Sequence, residues 1–246
     1  MTPEKRPLGI LEMGLPTPAV RKRFGDFVDW IRACLPVGIA RTSRVVALTD
    51  RAFPAPEELS GVIITGSPSM VNDATAREKR AFGWTEKVIG AKVPVLGLCY
   101  GHQMLGHIFG GEVGPLPGGP EIGLTNVMFS AGGDRLFGPC GKRRRVAVLH
   151  WQSILRLPMG ARVFGRNARE PHHAVRFAQG VWGVQFHPEF GADAVAAYLD
   201  RHALLLREHR RDAGREGRET LRWRDRTGVV ARFASLAAEG NHKEEG

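Results

Sequence analysis

Short apolar runs alternate with longer stretches of helical periodicity through much of this chain. The runs typical of buried strands are 7–14, 44–50, 61–67 and 93–99. Between them, apolar residues share one helical face over 19–35, and 75–90 has the pattern of a second helix. Because strands that alternate with helices of this length form crossover units, the sequence predicts an α/β fold. We expect an open, mostly parallel, twisted sheet with helices on both faces.

Later strands are expected within 144–153 and 172–190, with a hairpin turn at 178–180. Ser67 and Cys99 close two of the earlier strands. Ligand sites in parallel sheets gather beyond the carboxyl ends of the strands, so we expect these two residues to share a site.

Cys99 is the centre of a G-x-C-x-G pattern that runs from Gly97 to Gly101. This is the cysteine counterpart of the nucleophile elbow, in which small neighbours permit a sharp strand-to-helix turn. The helix expected at about 103–109 directs its N-terminus at the sulfur, which favours the thiolate over the thiol. A buried structural cysteine is the alternative interpretation.

A thiolate nucleophile also needs a proton carrier, and His187 is the best placed of the nine histidines. It ends the dense apolar run 181–186, which predicts another buried strand. Pro188 fixes the turn after it, and Glu189 can reach the far ring nitrogen, where a carboxylate orients the ring and stabilises its protonated form. Cys99, His187 and Glu189 are therefore a candidate triad of nucleophile, base and orienting acid.

The formal net charge of +10 is concentrated in two places. Residues 201–226 contain nine arginines and five acidic residues, and Lys142 to Arg145 add four positive charges. We interpret both as solvated, arginine-rich surface. An acidic partner surface is one alternative. Nucleic acid is a weaker one, because no stacking motif or known nucleic-acid module accompanies the charge.

Cysteine usage and hydropathy restrict the class of protein further. No stretch approaches the ~18–20 consecutive apolar residues of a membrane span, and the N-terminal residues lack the apolar stretch of a signal peptide. We therefore expect a cytoplasmic location and no membrane partner. Cys34, Cys99 and Cys140 show no C-x-x-C spacing, which argues against a disulfide framework or a zinc site. We expect neither a metal nor a cofactor.

Four blocks of the sequence resemble the class I, or triad, glutamine amidotransferases. They are GLCYGHQMLGHIFGG at 97–111, GVQFHPEF at 183–190, VIITGSPSMVND at 62–73 and GGPEIGLTNV at 118–127. The resemblance spans roughly residues 8–197 and is nearest to stand-alone members that look like the amidotransferase domain of GMP synthase. It implies a flavodoxin-like amidotransferase domain over 1–205. We expect a basic helical extension over 206–246, with a disordered end.

The resemblance also implies a mechanism. In this family a thiolate, here Cys99, attacks the γ-amide carbon of glutamine and forms a γ-glutamyl thioester. His187 protonates the departing ammonia and then activates water, while Glu189 holds His187 in place. Glutamate is released when water cleaves the thioester.

The same resemblance assigns groups that bind the substrate. Backbone N–H groups of Tyr100 and of the Gly66-Ser67 loop are expected to bind the developing oxyanion. The substrate contacts that it implies are those of Gln103, His150, Trp151 and Gln152.

Two departures from the family pattern affect these assignments. The usual Gly-Gly-Pro of the oxyanion loop is Gly-Ser-Pro here, so Ser67 must adopt a backbone conformation that lets its N–H donate. Relatives often have a His-Gly-Asp type sequence where this chain has bulkier residues, Trp151-Gln152-Ser153. We expect this bulk to narrow or reshape the pocket.

Three functions remain open at this point. The first is a glutaminase that delivers ammonia to a separate ATP-dependent synthetase. The second is a stand-alone hydrolase of γ-glutamyl peptides or γ-glutamyl amines. The third is a non-catalytic regulatory module that keeps the fold, although an intact triad argues against it.

Overall fold

The computed structural model describes residues 6–130 and 132–239. Its strands are β1 (Leu8–Glu12), β2 (Arg44–Ala47), β3 (Gly61–Ile64), β4 (Val95–Leu98), β5 (Glu112–Pro115), β6 (Glu121–Phe129), β7 (Arg143–His150), β8 (Gln152–Arg156), β9 (Arg162–Arg166), β10 (Ala174–Ala178) and β11 (Val181–Val184). Its helices are α1 (Pro18–Phe24), α2 (Phe27–Cys34), α3 (Val37–Thr42), α4 (Ala76–Gly90), α5 (Tyr100–Ile108), α6 (Ala192–Arg201), α7 (Ala203–Glu208), α8 (Ala213–Thr220) and α9 (Val229–Ala238). None of these helices combines the length and the apolar character needed to traverse a lipid bilayer.

The described strands form a nine-stranded sheet of order β2-β1-β3-β4-β11-β10-β9-β6-β7, and β5 pairs with β8 in a separate ribbon. From β2 to β11 the neighbours are parallel. From β11 to β7 they are antiparallel. The predicted α/β sheet is confirmed. The hairpin turn expected at 178–180 joins β10 to β11, and Gly180 supplies its positive φ of 75°.

Helices cover both faces of the sheet, as predicted. On one face, Ile10 of β1 packs in a buried cluster with Val28 of α2 and Phe233 of α9. On the other, Leu11 packs with Trp84 of α4. Successive residues of a strand point to opposite faces, so both must be apolar when both faces are covered. This is why the strands are continuous apolar runs in the sequence.

The helical stretch predicted over 19–35 is divided in two. α1 ends at Phe24 because Gly25 adopts φ 83°, which leaves the helical region. Asp26 then starts α2 as its N-cap, and its side chain accepts from the backbone N–H groups of Val28 and Asp29, each at 3.1 Å. The shared apolar face is kept across the break, although the backbone is not continuous.

The residues after α7 stay attached to the sheet. The Trp223 indole N–H donates to the Arg145 carbonyl of β7 at 2.9 Å. α9 adds Val230 and Phe233 to the buried cluster that holds Leu8 of β1. The extension predicted over 206–246 therefore contains helices, and α9 is part of the core. A domain boundary at 205 stays a prediction, and the end expected to be disordered, 240–246, lies outside the described residues.

Candidate active site

Cys99 occupies the tight turn between β4 and α5. Its backbone has φ 50° and ψ −100°, and such a left-handed conformation costs a non-glycine residue roughly 1–3 kcal/mol. The flanking glycines make the turn possible. A Cβ on Gly97 would overlap the backbone of Gly101, and a Cβ on Gly101 would lie 2.7 Å from the carbonyl oxygen of Ile64 in β3. The G-x-C-x-G pattern therefore reflects the close approach of β3, β4 and α5 at Cys99.

His187 follows β11, the parallel neighbour of β4, and so reaches the same end of the sheet as Cys99. Its Nδ1 lies 2.7 Å from Glu189 Oε1. Its ring stacks on Phe190 with centroids 3.9 Å apart, and its backbone N–H donates to Ala147 of β7 at 2.8 Å. Nδ1 is thus held by the carboxylate, and Nε2 has no hydrogen-bond partner among the described residues. This leaves Nε2 available to the sulfur.

Opposing effects set the protonation of His187. Burial disfavours the imidazolium, but the charge of Glu189 and the sulfur of Cys99 outweigh it and raise the pKa of His187 from 6.5 to about 10. The Glu189 side chain is itself shielded from solvent, so its charge acts on the ring with little screening. At neutral pH, a pKa this high keeps the His187 ring protonated.

The predicted oxyanion loop follows β3 and lies beside Cys99 and His187. A Cβ on Gly66 would lie 3.2 Å from His187 Cε1 and 3.8 Å from Cys99 Cβ. Ser67 is not among the residues with positive φ, so serine stands here in an ordinary backbone conformation. Tyr100 is the first residue of α5, which places its amide at the helix N-terminus. Donation by these N–H groups to an oxyanion stays a prediction.

A cavity of about 310 Å³ opens over Cys99. The four residues predicted to contact substrate all line it: Gln103, His150, Trp151 and Gln152. Trp151 is 36% exposed and lies at the rim, with its ring 5.1 Å from that of His202. The narrowing or reshaping of the pocket by its bulk stays a prediction. Gln152 Oε1 accepts from the Val71 amide at 3.2 Å and braces the cavity wall.

Much of the lining of this cavity is apolar. Its apolar contributors include Leu15, Pro16, Met70 and Trp151. Arg201 is the one arginine or lysine among the described lining residues, and no carboxylate is found among them. A substrate ammonium group would consequently need carbonyl or amide oxygens as acceptors, whereas a substrate carboxylate can approach Arg201.

Sequence reasoning missed Gln185. This residue is 0% exposed, and its Nε2 lies 3.6 Å from Cys99 Sγ. Its Oε1 accepts from Gln103 Nε2 at 3.0 Å. The signal that could have found it was one polar residue inside the apolar run 181–186, because a buried polar side chain requires hydrogen-bond partners.

A second buried network anchors His150. Its Nε2 lies 3.1 Å from Glu121 Oε2, and its Nδ1 lies 3.0 Å from the Gln152 carbonyl. His173 Nε2 lies 3.3 Å from the same Glu121 oxygen. Burial raises the pKa of Glu121, but its contacts with His150 and His173 outweigh burial and hold that pKa well below its ordinary value. Glu121 belongs to the GGPEIGLTNV block and keeps His150 in the cavity wall.

The fold and the site together define an α/β protein with a candidate Cys-His-Glu triad at the carboxyl end of a parallel sheet. A family model described as "Glutamine amidotransferase class-I" matches residues 37–203. This match covers most of the chain and includes Cys99, His187 and Glu189. The chain belongs to the class I glutamine amidotransferase family, as the four sequence blocks indicated.

Relatives with similar sequences are GMP synthases described as glutamine-hydrolyzing. That of Aeropyrum pernix is 38% identical over 160 residues, which cover 61% of this chain and 30% of the relative. That of Porphyromonas gingivalis is 35% identical over 174 residues, which cover 66% of this chain and 33% of the relative. The chain thus spans about a third of the length of these relatives.

Solved structures with the same fold are closer to this chain in length than the GMP synthases are. A glutamine amidotransferase of Thermotoga maritima superposes with a TM-score of 0.75 at 19% identity, covering 96% of this chain and 100% of that one. A proposed GMP synthase subunit of Thermoplasma acidophilum has a TM-score of 0.59 at 19% identity. The superposition covers 95% of this chain and 98% of that one. At this identity the likeness shows the fold.

Proposed function

We propose that this chain hydrolyses the γ-amide of glutamine through a thioester on Cys99. The observation that carries the proposal is the arrangement of His187. Its Nδ1 is held 2.7 Å from a buried carboxylate oxygen of Glu189, and the nearby sulfur helps to raise its pKa to about 10. An imidazolium next to a cysteine sulfur, at the base of a cavity, is suited to acyl transfer.

The first half of the reaction forms the thioester. The Cys99 thiolate attacks the γ-carbonyl carbon, and the carbonyl electron pair moves to the oxygen. When that pair returns, the carbon–nitrogen bond breaks, and His187 Nε2–H protonates the nitrogen, which leaves as ammonia. His187 is then neutral, and the γ-glutamyl group is bonded to sulfur.

The second half restores the enzyme. Neutral His187 takes a proton from water as the water oxygen attacks the thioester carbon. The carbon–sulfur bond then breaks, releasing glutamate and the Cys99 thiolate beside the imidazolium. Tyr100 and the Gly66-Ser67 loop supply the oxyanion donors in both halves, and each such donor is worth roughly 3 kcal/mol in the transition state. The sequence of steps needs only water as co-reactant, so the proposal includes no cofactor.

The ammonia released goes to a separate ATP-dependent synthetase in our proposal. Support comes from relatives named as glutamine-hydrolyzing GMP synthases, of which this chain matches about a third of the length. The fold shared with a proposed GMP synthase subunit adds to that support. We place the protein in the cytoplasm, where glutamine and ATP are both present.

Hydrolysis of larger γ-glutamyl compounds is the second candidate. The observation that favours it is the apolar part of the lining, to which Leu15, Met70 and Trp151 contribute. In such compounds a bulkier amine leaves in place of ammonia, and an apolar lining can bind it by burying its hydrocarbon surface. The chemistry at Cys99 would be the same.

Glutamate release from glutamine and from γ-glutamyl dipeptides tests the proposal. We expect the wild-type chain to release glutamate and Cys99→Ala to release none. Cys140→Ala is the matched control, because Cys140 lies in the core with its sulfur 3.7 Å from the Thr227 carbonyl. Faster cleavage of dipeptides than of glutamine supports the second candidate. Retained turnover in Cys99→Ala contradicts both candidates.

A further inference from the structure

We propose that Gln185 is a positioning residue that donates a hydrogen bond to the Cys99 sulfur and, through its other amide atom, orients Gln103 toward the substrate. The proposal rests on the nucleophilic role of Cys99 given above. Gln185 is wholly buried at the end of β11, two residues before His187. Its backbone N–H donates to the His173 carbonyl at 2.9 Å, which fixes the position from which its side chain extends.

The hydrogen bonds admit one orientation of the Gln185 amide. Nε2 lies 3.6 Å from Cys99 Sγ, and Oε1 lies 3.0 Å from Gln103 Nε2. Reversing the amide would place two NH₂ groups against each other and a carbonyl oxygen against the sulfur. Donation therefore runs from Gln103 to Gln185 and from Gln185 to Cys99.

Gln103 is fixed by the same argument. Its Nε2 donates both to Gln185 Oε1 and to the Gln152 carbonyl at 2.8 Å. Both amide hydrogens are then used within the protein. Gln103 Oε1 has no donor among the described residues, and it is not one of the fully buried atoms. Gln103 thus presents an acceptor to the cavity, suited to an ammonium or amide N–H group of the substrate.

The far end of this chain of hydrogen bonds is also buried. The Gln152 carbonyl lies 3.0 Å from His150 Nδ1, and His150 Nε2 lies 3.1 Å from Glu121 Oε2. Gln185, Gln103 and the Gln152 carbonyl therefore each have a partner on both sides along this chain of hydrogen bonds. A donor fixed at the sulfur stabilises the thiolate more than the thiol, because a hydrogen bond to the charged form is the stronger one.

Gln185 is one of several groups that act on the sulfur. The titratable or charged groups of the surrounding elements are Tyr100 of α5, His187 and Glu189 after β11, Tyr198 and Arg201 of α6, His202 after it, and His150 of β7. Among the cations, His187 is one whose pKa the sulfur raises. The effect of Gln185 must consequently be measured with His187 unchanged.

Alkylation of Cys99 by iodoacetamide, followed by peptide mass spectrometry over a range of pH, tests the proposal without any substrate. In Gln185→Glu the side chain keeps an oxygen for Gln103 but puts an acceptor beside the sulfur. We expect the pH midpoint of alkylation to rise by about one unit. At a pH below the midpoint, a shift of this size makes alkylation of Cys99 about tenfold slower. It corresponds to a loss of ~1.4 kcal/mol in the stabilisation of the thiolate relative to the thiol.

Two further variants complete the design. Gln185→Met keeps volume and a weak acceptor for Gln103 but has no donor, and we expect its midpoint to rise as well. Gln179→Leu, in the exposed hairpin turn, is the matched control and should not shift it. Folding of each variant is checked by its thermal midpoint. An unchanged alkylation midpoint in a folded Gln185→Glu or Gln185→Met chain overturns the proposal.

A measurement on the unaltered side chain covers the case in which both variants fail to fold. The side-chain NH₂ resonances of Gln185 should titrate in the wild type with the same midpoint as the alkylation. They should not titrate in Cys99→Ala. Gln185 NH₂ chemical shifts that stay constant while the Cys99 sulfur ionises would contradict the proposal. The glutamate-release assay on Cys99→Ala separately decides whether the proposed function itself fails.

Discussion

The Cys99 sulfur lies among three polar neighbours that differ in charge and in direction of donation. The Gln185 amide can donate to it, and the Leu149 carbonyl, 3.6 Å away, can accept from the thiol. His187 supplies a positive charge, which favours the thiolate. The balance among these contacts, more than the thiol alone, decides how reactive the cysteine is.

Removing the charge of Glu189 tests the origin of the His187 proton affinity. Glu189→Gln keeps a hydrogen-bonding oxygen but loses the negative charge. Because that charge offsets the effect of burial, the pKa of His187 should fall from about 10 toward 6.5 or lower. We expect kcat/KM for glutamine to fall by roughly 10³–10⁴-fold. Histidine titration by NMR and the glutamate assay are the measurements, and Glu112→Gln, at an exposed position of β5, is the control. An unshifted His187 titration would contradict the assigned cause.

Among the helices and strands, the turn at Cys99 depends on how closely β3, β4 and α5 approach. Gly97 faces the first turn of α5, and Gly101 faces Ile64 of β3, with no room for a Cβ at either position. Local sequence predicted this turn well, because the requirement for glycine is steric and falls within five residues. The helix boundary was predicted less well: α5 begins at Tyr100, directly after Cys99, and not at about 103.

Gly101→Ala should therefore destabilise the protein. The new methyl group would meet the Ile64 carbonyl oxygen at 2.7 Å, and β3 would have to move. We expect a loss of roughly 1–3 kcal/mol in the free energy of unfolding together with a loss of activity. The control is Gly90→Ala at the end of α4, where a Cβ meets nothing within 4 Å. There the reduced freedom of the unfolded chain should stabilise by roughly 0.4–1 kcal/mol. Equal urea midpoints for the two variants would refute the steric account.

At the scale of the whole molecule, the site joins the two halves of the sheet. β7 is separated from β11 by three strands in the sheet order. Even so, the His187 N–H donates to the Ala147 carbonyl of β7, and the Cys99 sulfur lies against the Leu149 carbonyl. The antiparallel half thereby supplies one wall of the cavity, including His150, while the parallel half supplies Cys99 and His187.

The raised pKa of His187 predicts how the stability of the protein depends on pH. The pKa of His187 is raised from 6.5 to about 10, so the folded state binds this proton more tightly than the unfolded state does. Its contribution to stability is complete below about pH 6.5 and is lost as the pH rises to about 10. We expect the urea midpoint to fall over this range, and to fall less in Glu189→Gln. Equal losses in the two proteins would show that His187 is not the group responsible.

Much of the fold could be predicted, and candidate site residues could be chosen, because the signals are local. Continuous apolar runs mark strands covered on both faces, and polar residues at their carboxyl ends mark the site. Gln185 and Glu121 were not assigned roles. Their partners, Gln103 and His150, are distant in the chain and meet them only through the order and register of the strands.

The amino-acid sequence by itself determined the alternating elements, the glycine-flanked turn at Cys99 and the family, since periodicity and steric need act over a few residues. The tertiary structure alone decided which carbonyls and amides surround the sulfur. It also decided that β7 closes the cavity and that α9 enters the core. These features depend on long-range pairing, in which any buried polar group takes whichever partner the packed strands bring within reach.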